Sequence, residues 1–212
     1  MRRRRSRYGS LAVLTYRGLI DPLLWTLRPK IVRVCRELEA KRVIDIASGT
    51  GAQCRKLGQA GIQATGVDLS EEMIALASQI GGANTAYLCG SAFELPLASE
   101  VFDVALLVLA LHEHTEGERG TMIGEALRVL GPEGHLVIAE YVRPRRAAVH
   151  AAWQLIRGVE EVAGPEHRAG FKDFVAQGCL DGLVERHGLQ IARRLRSHFG
   201  AIQVIAARPS AP

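Results

Sequence analysis

The stretch Val43–Cys54, "VIDIASGTGAQC", runs from a short apolar segment through the acidic Asp45 into a loop that carries Gly49 and Gly51. An apolar strand, a glycine turn and a following helix form a unit that grips nucleotide-like ligands, with polar groups received at the helix N-terminus. Outward from this stretch the chain alternates. "RVIDIA" reads as a strand, "GAQCRKLGQA" as a helix and "IQATGVD" as a second strand. In the next helix, "SEEMIALASQI", Ser70 is the N-cap and Glu71 and Glu72 occupy the first turn, while Met73, Ile74, Ala77 and Ile80 share one face.

"NTAYLCG" is a third strand, and the nearly continuous apolar run "VFDVALLVLAL" is a fourth of the kind covered on both faces of a parallel sheet. Thr115 and Glu118 form a capping box for a helix whose buried stripe is Met122, Ile123, Ala126, Leu127 and Leu130. That helix is expected to stop at "GPEG", and "HLVIAEYV" follows as the fifth strand. Upstream, residues 8–40 read as helices, with Ile31, Val34, Cys35 and Leu38 on one face. At the C-terminal end, "LQIARRLRSHFGAIQVIAAR" holds two strands joined too tightly for a parallel crossover, so they pair as an antiparallel hairpin.

The expected fold class is therefore α/β: a doubly wound, Rossmann-like seven-stranded sheet, mostly parallel and ending in an antiparallel hairpin, with helices on both faces. Its ligand crevice lies at the carboxyl ends of the strands. We expect a basic arm over residues 1–7 and a single domain over 8–212. That domain comprises helices (8–40), a cofactor-binding core (41–142), a helical cover (143–188) and the hairpin (189–208).

A chain of 212 residues, 48% hydrophobic and 23% charged, is globular in composition. Its net charge of +5 invites a nucleic-acid reading, but Arg2, Arg3, Arg4, Arg5 and Arg7 account for it. The remaining residues carry 22 basic against 22 acidic groups, so no nucleic-acid partner is expected. The arm is read as a solvated tail with at most a peripheral contact to an anionic membrane surface. No apolar run approaches the roughly 20 residues of a membrane-spanning helix. Arg17 and Asp21 interrupt the first apolar stretch, and a cytoplasmic location is expected. Cys35, Cys54, Cys89 and Cys179 form no C-x-x-C pair and read as reduced apolar fillers.

The loop itself narrows the cofactor. Cys54 stands where a dinucleotide loop wants its third glycine, and the Asp45 carboxylate opposes a pyrophosphate while favouring a cationic group. Seventeen residues after Gly51, Asp68 can accept bonds from both hydroxyls of a ribose.

Four ordered segments, "VIDIASGTG", "TGVDLSEEMIALA", "YLCGSAFELPLASEVFDVAL" and "EALRVLGPEGHLVIAEY", resemble the class I S-adenosylmethionine-dependent methyltransferases. The resemblance is to the ubiquinone and menaquinone biosynthesis subgroup and spans about residues 41–142. It implies that Asp45, Ala47, Gly49 and Gly51 surround the methionine part of S-adenosylmethionine. Asp68 then anchors the ribose, with Leu69 and Met73 beside the adenine. Ser91, Ala92 and Phe93 match a segment that usually begins with an acidic residue, so a hydroxyl replaces the carboxylate that receives the adenine amino group. Leu109, Ala110 and His112 lie where the fourth strand opens towards the methyl group.

The resemblance implies an enzyme that methylates a small molecule, with lipid and quinone-like acceptors among those considered. A nicotinamide-dependent oxidoreductase and a non-catalytic S-adenosylmethionine-binding protein remain alternatives. His112 and His114 in "LHEH" are candidate bases, or else pocket-lining and capping residues. No metal is expected, since neither His150 nor His167 lies close enough in sequence to complete a ligand set with them. The cover over residues 143–188 is longer than the dozen or so residues a crossover needs, with a break at Gly164 and Pro165. Together with the N-terminal helices it is expected to form the acceptor pocket, with Tyr16, Trp153 and Phe171 as candidate walls.

Overall fold

The computed structural model describes residues 24–143, 150, 153, 154, 156–158, 160 and 164–210; the arginine arm and Tyr16 lie outside them. The strands are β1 (Arg42–Ile46), β2 (Gln63–Asp68), β3 (Thr85–Cys89), β4 (Phe102–Val108), β5 (Leu130–Tyr141), β6 (Leu189–Ser197) and β7 (Ile202–Pro209). They form one sheet in the order β3-β2-β1-β4-β5-β7-β6. β1 to β5 are parallel, and β7 runs antiparallel to both β5 and β6. The expected mostly parallel sheet with a terminal hairpin is thus observed, with β7 inserted between β5 and β6.

The helices are α1 (Arg28–Glu37), α2 (Ala52–Gln59), α3 (Glu71–Ile80), α4 (Glu116–Arg128), α5 (Pro165–Ala176) and α6 (Cys179–Arg186). Residues 150, 153, 154, 156–158 and 160 are also helical. Among the described residues no helix is long and apolar enough to cross a membrane. The chain moves outward from β1 to β2 and β3 and then returns to β4 on the other side of β1, so the crevice opens at the carboxyl ends of β1 and β4.

Local chemistry explains the element ends. The Ser70 hydroxyl accepts the Met73 N–H and caps α3, while Thr115 and Glu118 satisfy each other's backbone donors at the start of α4. Pro165 starts α5 directly after Gly164, whose φ is 112°.

Several expectations need correction. β4 ends at Val108: Leu109 turns to a φ of 50° and Leu111–Glu113 form a 3-10 turn, so the apolar run continues as packing and not as strand. α4 ends at Arg128, and β5 begins at Leu130, already paired with Phe102, before an irregularity that absorbs "GPEG". Ile80 is exposed at the tail of α3, and Cys89, unlike the other three free cysteines, is exposed on β3. β6 is an edge strand with a register shift between Ile191 and Arg193 and mostly exposed side chains; β7 beside it is buried almost throughout.

The turn after β4 is clamped in place by α4 and α5. Arg119 is fully buried: its Nε donates to the Leu111 carbonyl, its guanidinium pairs with Glu116 and Asp173, and its Cζ lies 5.2 Å from the centre of the Phe174 ring. Gly170 of α5 rests on the same turn so closely that a Cβ would run into the backbone of Glu113 and His114. We expect Gly170→Ala to lower unfolding free energy by about 1–3 kcal/mol, the usual cost of overpacking, measured by urea denaturation. An unchanged midpoint would show that α5 does not seat on the turn.

Candidate functional site

The loop between β1 and α2 is built from strained and close-packed backbone. Ala47 has a φ of 60°, and Gly51, the N-cap of α2, has a φ of 70° with no room for a Cβ against the Tyr87 ring. Asp68 at the end of β2 ties this loop down, its Oδ2 accepting the Gly49 N–H at 2.7 Å and its Oδ1 the Ser70 N–H at 2.9 Å. Burial raises the Asp68 carboxyl above its usual range, opposed by the bonds from Ser70 and Gly49. One lone pair on each oxygen is thereby used, leaving others for a ligand's hydroxyls.

Beside the loop is a small cleft lined by Arg28, Asp45, Ala47, Ser48, Gln53 and Val108, among others. The Ser48 hydroxyl and both polar atoms of the Gln53 amide are buried there with no hydrogen-bond partner among the described residues. Buried polar atoms without partners are rare in native folds and mark the place of a ligand or bound water. Asp45 is only 3% exposed; burial pushes its pKa up to about 7, against the Cys54 thiol, which donates to it at 3.6 Å, and the Arg28 charge. Cys54, at the position of the absent third glycine, therefore packs under Asp45.

The other predicted contacts distribute around this crevice. Leu69 is 39% exposed, a large apolar side chain left open beside Asp68. Met73 turns into the core. The Ser91 hydroxyl accepts the Phe93 N–H at 3.1 Å and so organises its own turn, on which Ala92 and Phe93 are half-buried. Leu109 donates its N–H to the Ala139 carbonyl at 2.9 Å, which holds the end of β4 against β5.

The two histidines separate. His114 is partly exposed, 3.7 Å from Glu118 and edge-on to Phe93. His112 is buried and held by Glu140 of β5, a carboxylate with no exposure. Glu140 Oε1 accepts the Leu111 and His112 N–H groups at 2.9 and 3.2 Å, Oε2 accepts the Tyr141 N–H at 3.1 Å, and His112 Nδ1 lies 3.0 Å from Oε1. The opposite nitrogen, Nε2, faces Glu160 at 3.6 Å. Glu160 also accepts the Tyr141 hydroxyl at 2.9 Å and contacts His167 Nε2, while His167 Nδ1 lies 3.5 Å from Glu113. Burial would lower the His167 pKa, but the Glu113 and Glu160 carboxylates raise it to about 10; the same opposition leaves His112 raised.

Sequence reading had no ground to join these groups. Glu113, Glu140 and Glu160, together with Arg28 and Gln53 in the first cleft, carry no role in any of the sequence motifs. His167 was set aside as too distant. Its ring is now 5.4 Å from that of His112. Trp153 and Phe171 do come to this place, but as buried rings packed on Tyr141, with Phe171 edge-on to His112 at 6.1 Å.

Residues 44–138 match the family model described as a methyltransferase domain. A demethylmenaquinone methyltransferase of Thermus thermophilus is 30% identical over 126 residues, which is 57% of this chain and 56% of that protein. Over this segment the chain is similar to the class I S-adenosylmethionine-dependent methyltransferases. It spans about half the length of the curated relatives it matches. Two solved structures share this fold. A Pyrococcus horikoshii protein has a TM-score of 0.68 at 17% identity, covering 90% of this chain and 91% of that one. A Burkholderia thailandensis 1,6-didemethyltoxoflavin N1-methyltransferase, solved with that compound and S-adenosylhomocysteine, has a TM-score of 0.63 at 17% identity, covering 97% and 93%.

The raised Asp45 pKa makes a ligand-free prediction. The unfolded carboxyl ionises near 3.8 and the folded one near 7, so the folded state binds the extra proton between them and stability falls as pH rises through that window. Asp45→Asn should flatten this fall by roughly 2–4 kcal/mol between pH 4 and pH 8, read from urea unfolding at each pH. Parallel curves for the two proteins would show that Asp45 is ionised throughout.

Proposed function

We propose that the chain transfers the methyl group of S-adenosylmethionine to a small-molecule acceptor of the lipid or quinone-like class. The observation that carries the reading is the set of buried, unpartnered polar atoms of Ser48 and Gln53 in one cleft with Arg28 and Asp45. That set complements an amino acid head: Arg28 and the Gln53 amide suit its carboxylate, and Asp45 suits its ammonium and the nearby sulfonium. Asp68 then receives the ribose hydroxyls, Leu69 covers the adenine, and the Ser91–Phe93 turn meets the adenine edge. A nicotinamide dinucleotide would set its pyrophosphate against Asp45, and the close packing its loop needs is taken by Cys54.

In-line transfer breaks the sulfur–methyl bond as the acceptor's heteroatom bonds to the methyl carbon, and the electron pair stays on sulfur. An activated sulfonium asks the protein mainly to position the acceptor and exclude water. The acceptor's heteroatom is placed and deprotonated beside the cluster of His112, Glu113, Glu160 and His167, and not by His114. Support for the quinone-like class comes from the demethylmenaquinone methyltransferase relatives, and for a small molecule from the neutral body of the chain. Four free cysteines suit a reducing, cytoplasmic setting.

Calorimetry should show binding of S-adenosylhomocysteine and none of NAD. Asp68→Ala should weaken that binding by about 1–3 kcal/mol, the usual cost of a lost charge-accepted bond. With a panel of hydroxylated quinones and labelled S-adenosylmethionine, His112→Gln should cut kcat by about 100-fold or more while sparing cofactor affinity. Tight NAD binding with no response to the sulfur ligand would end the reading.

A further inference from the structure

We propose that His112, Glu113 and His167 form a binding site for one divalent transition-metal ion of the zinc type. These three residues each bring a ligand atom within 4.8 Å of the others. Donor atoms around one ion, each about 2.0–2.2 Å from it, fall within such a span. Two imidazoles and one carboxylate are the donor set of catalytic zinc sites, which keep a further position open.

The surrounding carboxylates are arranged as such a site requires. A metal-bound imidazole gives its other nitrogen to a carboxylate, which fixes the ring and raises its basicity. His112 does so through Nδ1 to Glu140, which is wholly buried. His167 does so through Nε2 to Glu160. The nitrogens turned towards the shared space are His112 Nε2, 3.6 Å from Glu160 Oε1, and His167 Nδ1, 3.5 Å from Glu113 Oε2. Glu160 is itself oriented by the Tyr141 hydroxyl at 2.9 Å.

Access and location also fit. His112 is sealed in the core, but the side chains of His167 and Glu113 are 17% and 30% exposed, giving an ion and an acceptor a way in from one side. His112 and Glu113 lie on the turn that follows β4, the strand beside β1, which puts the site at the carboxyl end of the sheet where the crevice opens. A coordinated hydroxyl or thiol of the acceptor loses its proton to water more readily. Its lone pair then forms the bond to the methyl carbon while the sulfur–carbon bond breaks. This last role rests on the methyltransferase reading; binding of the ion does not.

The test is metal binding to the full chain stripped with a chelator. Dialysis against zinc, with bound metal read by mass spectrometry, should give about one equivalent, and cobalt substitution should give the visible absorption of a low-symmetry nitrogen and oxygen site. His167→Ala and Glu113→Gln, both on the accessible side, should each raise the dissociation constant by about 100-fold, with circular dichroism confirming the fold. His135→Gln, in the middle of β5 and five residues from Glu140, should bind zinc as the parent does. Failure to retain zinc at about 100 μM, a concentration at which even weak specific sites fill, would overturn the proposal. So would undiminished binding in both ligand variants. S-adenosylhomocysteine calorimetry on the same samples keeps the two readings apart, since a protein that binds this ligand but retains no zinc overturns only the metal site.

Discussion

Glu140 is the constraint on which the His112 side of the crevice is organised. A carboxylate in the middle of a sheet costs several kcal/mol unless its lone pairs are filled, and here they are filled by three backbone N–H groups and one imidazole. Those donors come from the turn after β4 and from β5 itself. Satisfying the charge therefore fixes how the end of β4 departs from the sheet, which ring nitrogen His112 presents, and where α5 can dock. The Arg119 clamp and the glycine contact of α5 secure the same turn from its other side.

The cofactor side is held differently. There the carboxylate of Asp68 joins the glycine loop to the start of α3, so two segments that would grip the two ends of a nucleoside share one anchor. Positive φ values at Ala47 and Leu109 mark where backbone comfort gives way at the crevice. Both lie at strand ends that face the crevice, and neighbouring backbone bonds hold them there: Ser48 to Val67, and Leu109 to Ala139.

Much of the cofactor side was readable from sequence because its chemistry is local. A strand, two glycines, an acidic residue at the next strand's end and a capped helix follow one another within about thirty residues, and period and spacing report them directly. The acceptor cluster was not readable for the opposite reason. Its members come from the turn after β4, the end of β5, the helical turn at Glu160 and α5, and no local pattern states that such segments meet. A signal was nonetheless present: in "HLVIAEYV" a lone glutamate interrupts a strand expected to be buried, and a buried carboxylate demands partners. The errors at β4 and β5 have a similar origin. Apolar content marks burial, not strand geometry, so hydrophobicity puts Leu109–Leu111 in β4 and Leu130 in α4 where backbone pairing decides otherwise.

The insertion of β7 between β5 and β6 leaves β6 as an outer strand, and its sequence bears on solubility. Arg193, Arg194 and Arg196 line that margin, with the register shift interrupting its ladder at Ile191. A charged, kinked margin is a poor template for another chain's strand. Copies of this protein are therefore discouraged from joining sheet to sheet along β6, even though the strand immediately inside it is almost wholly apolar.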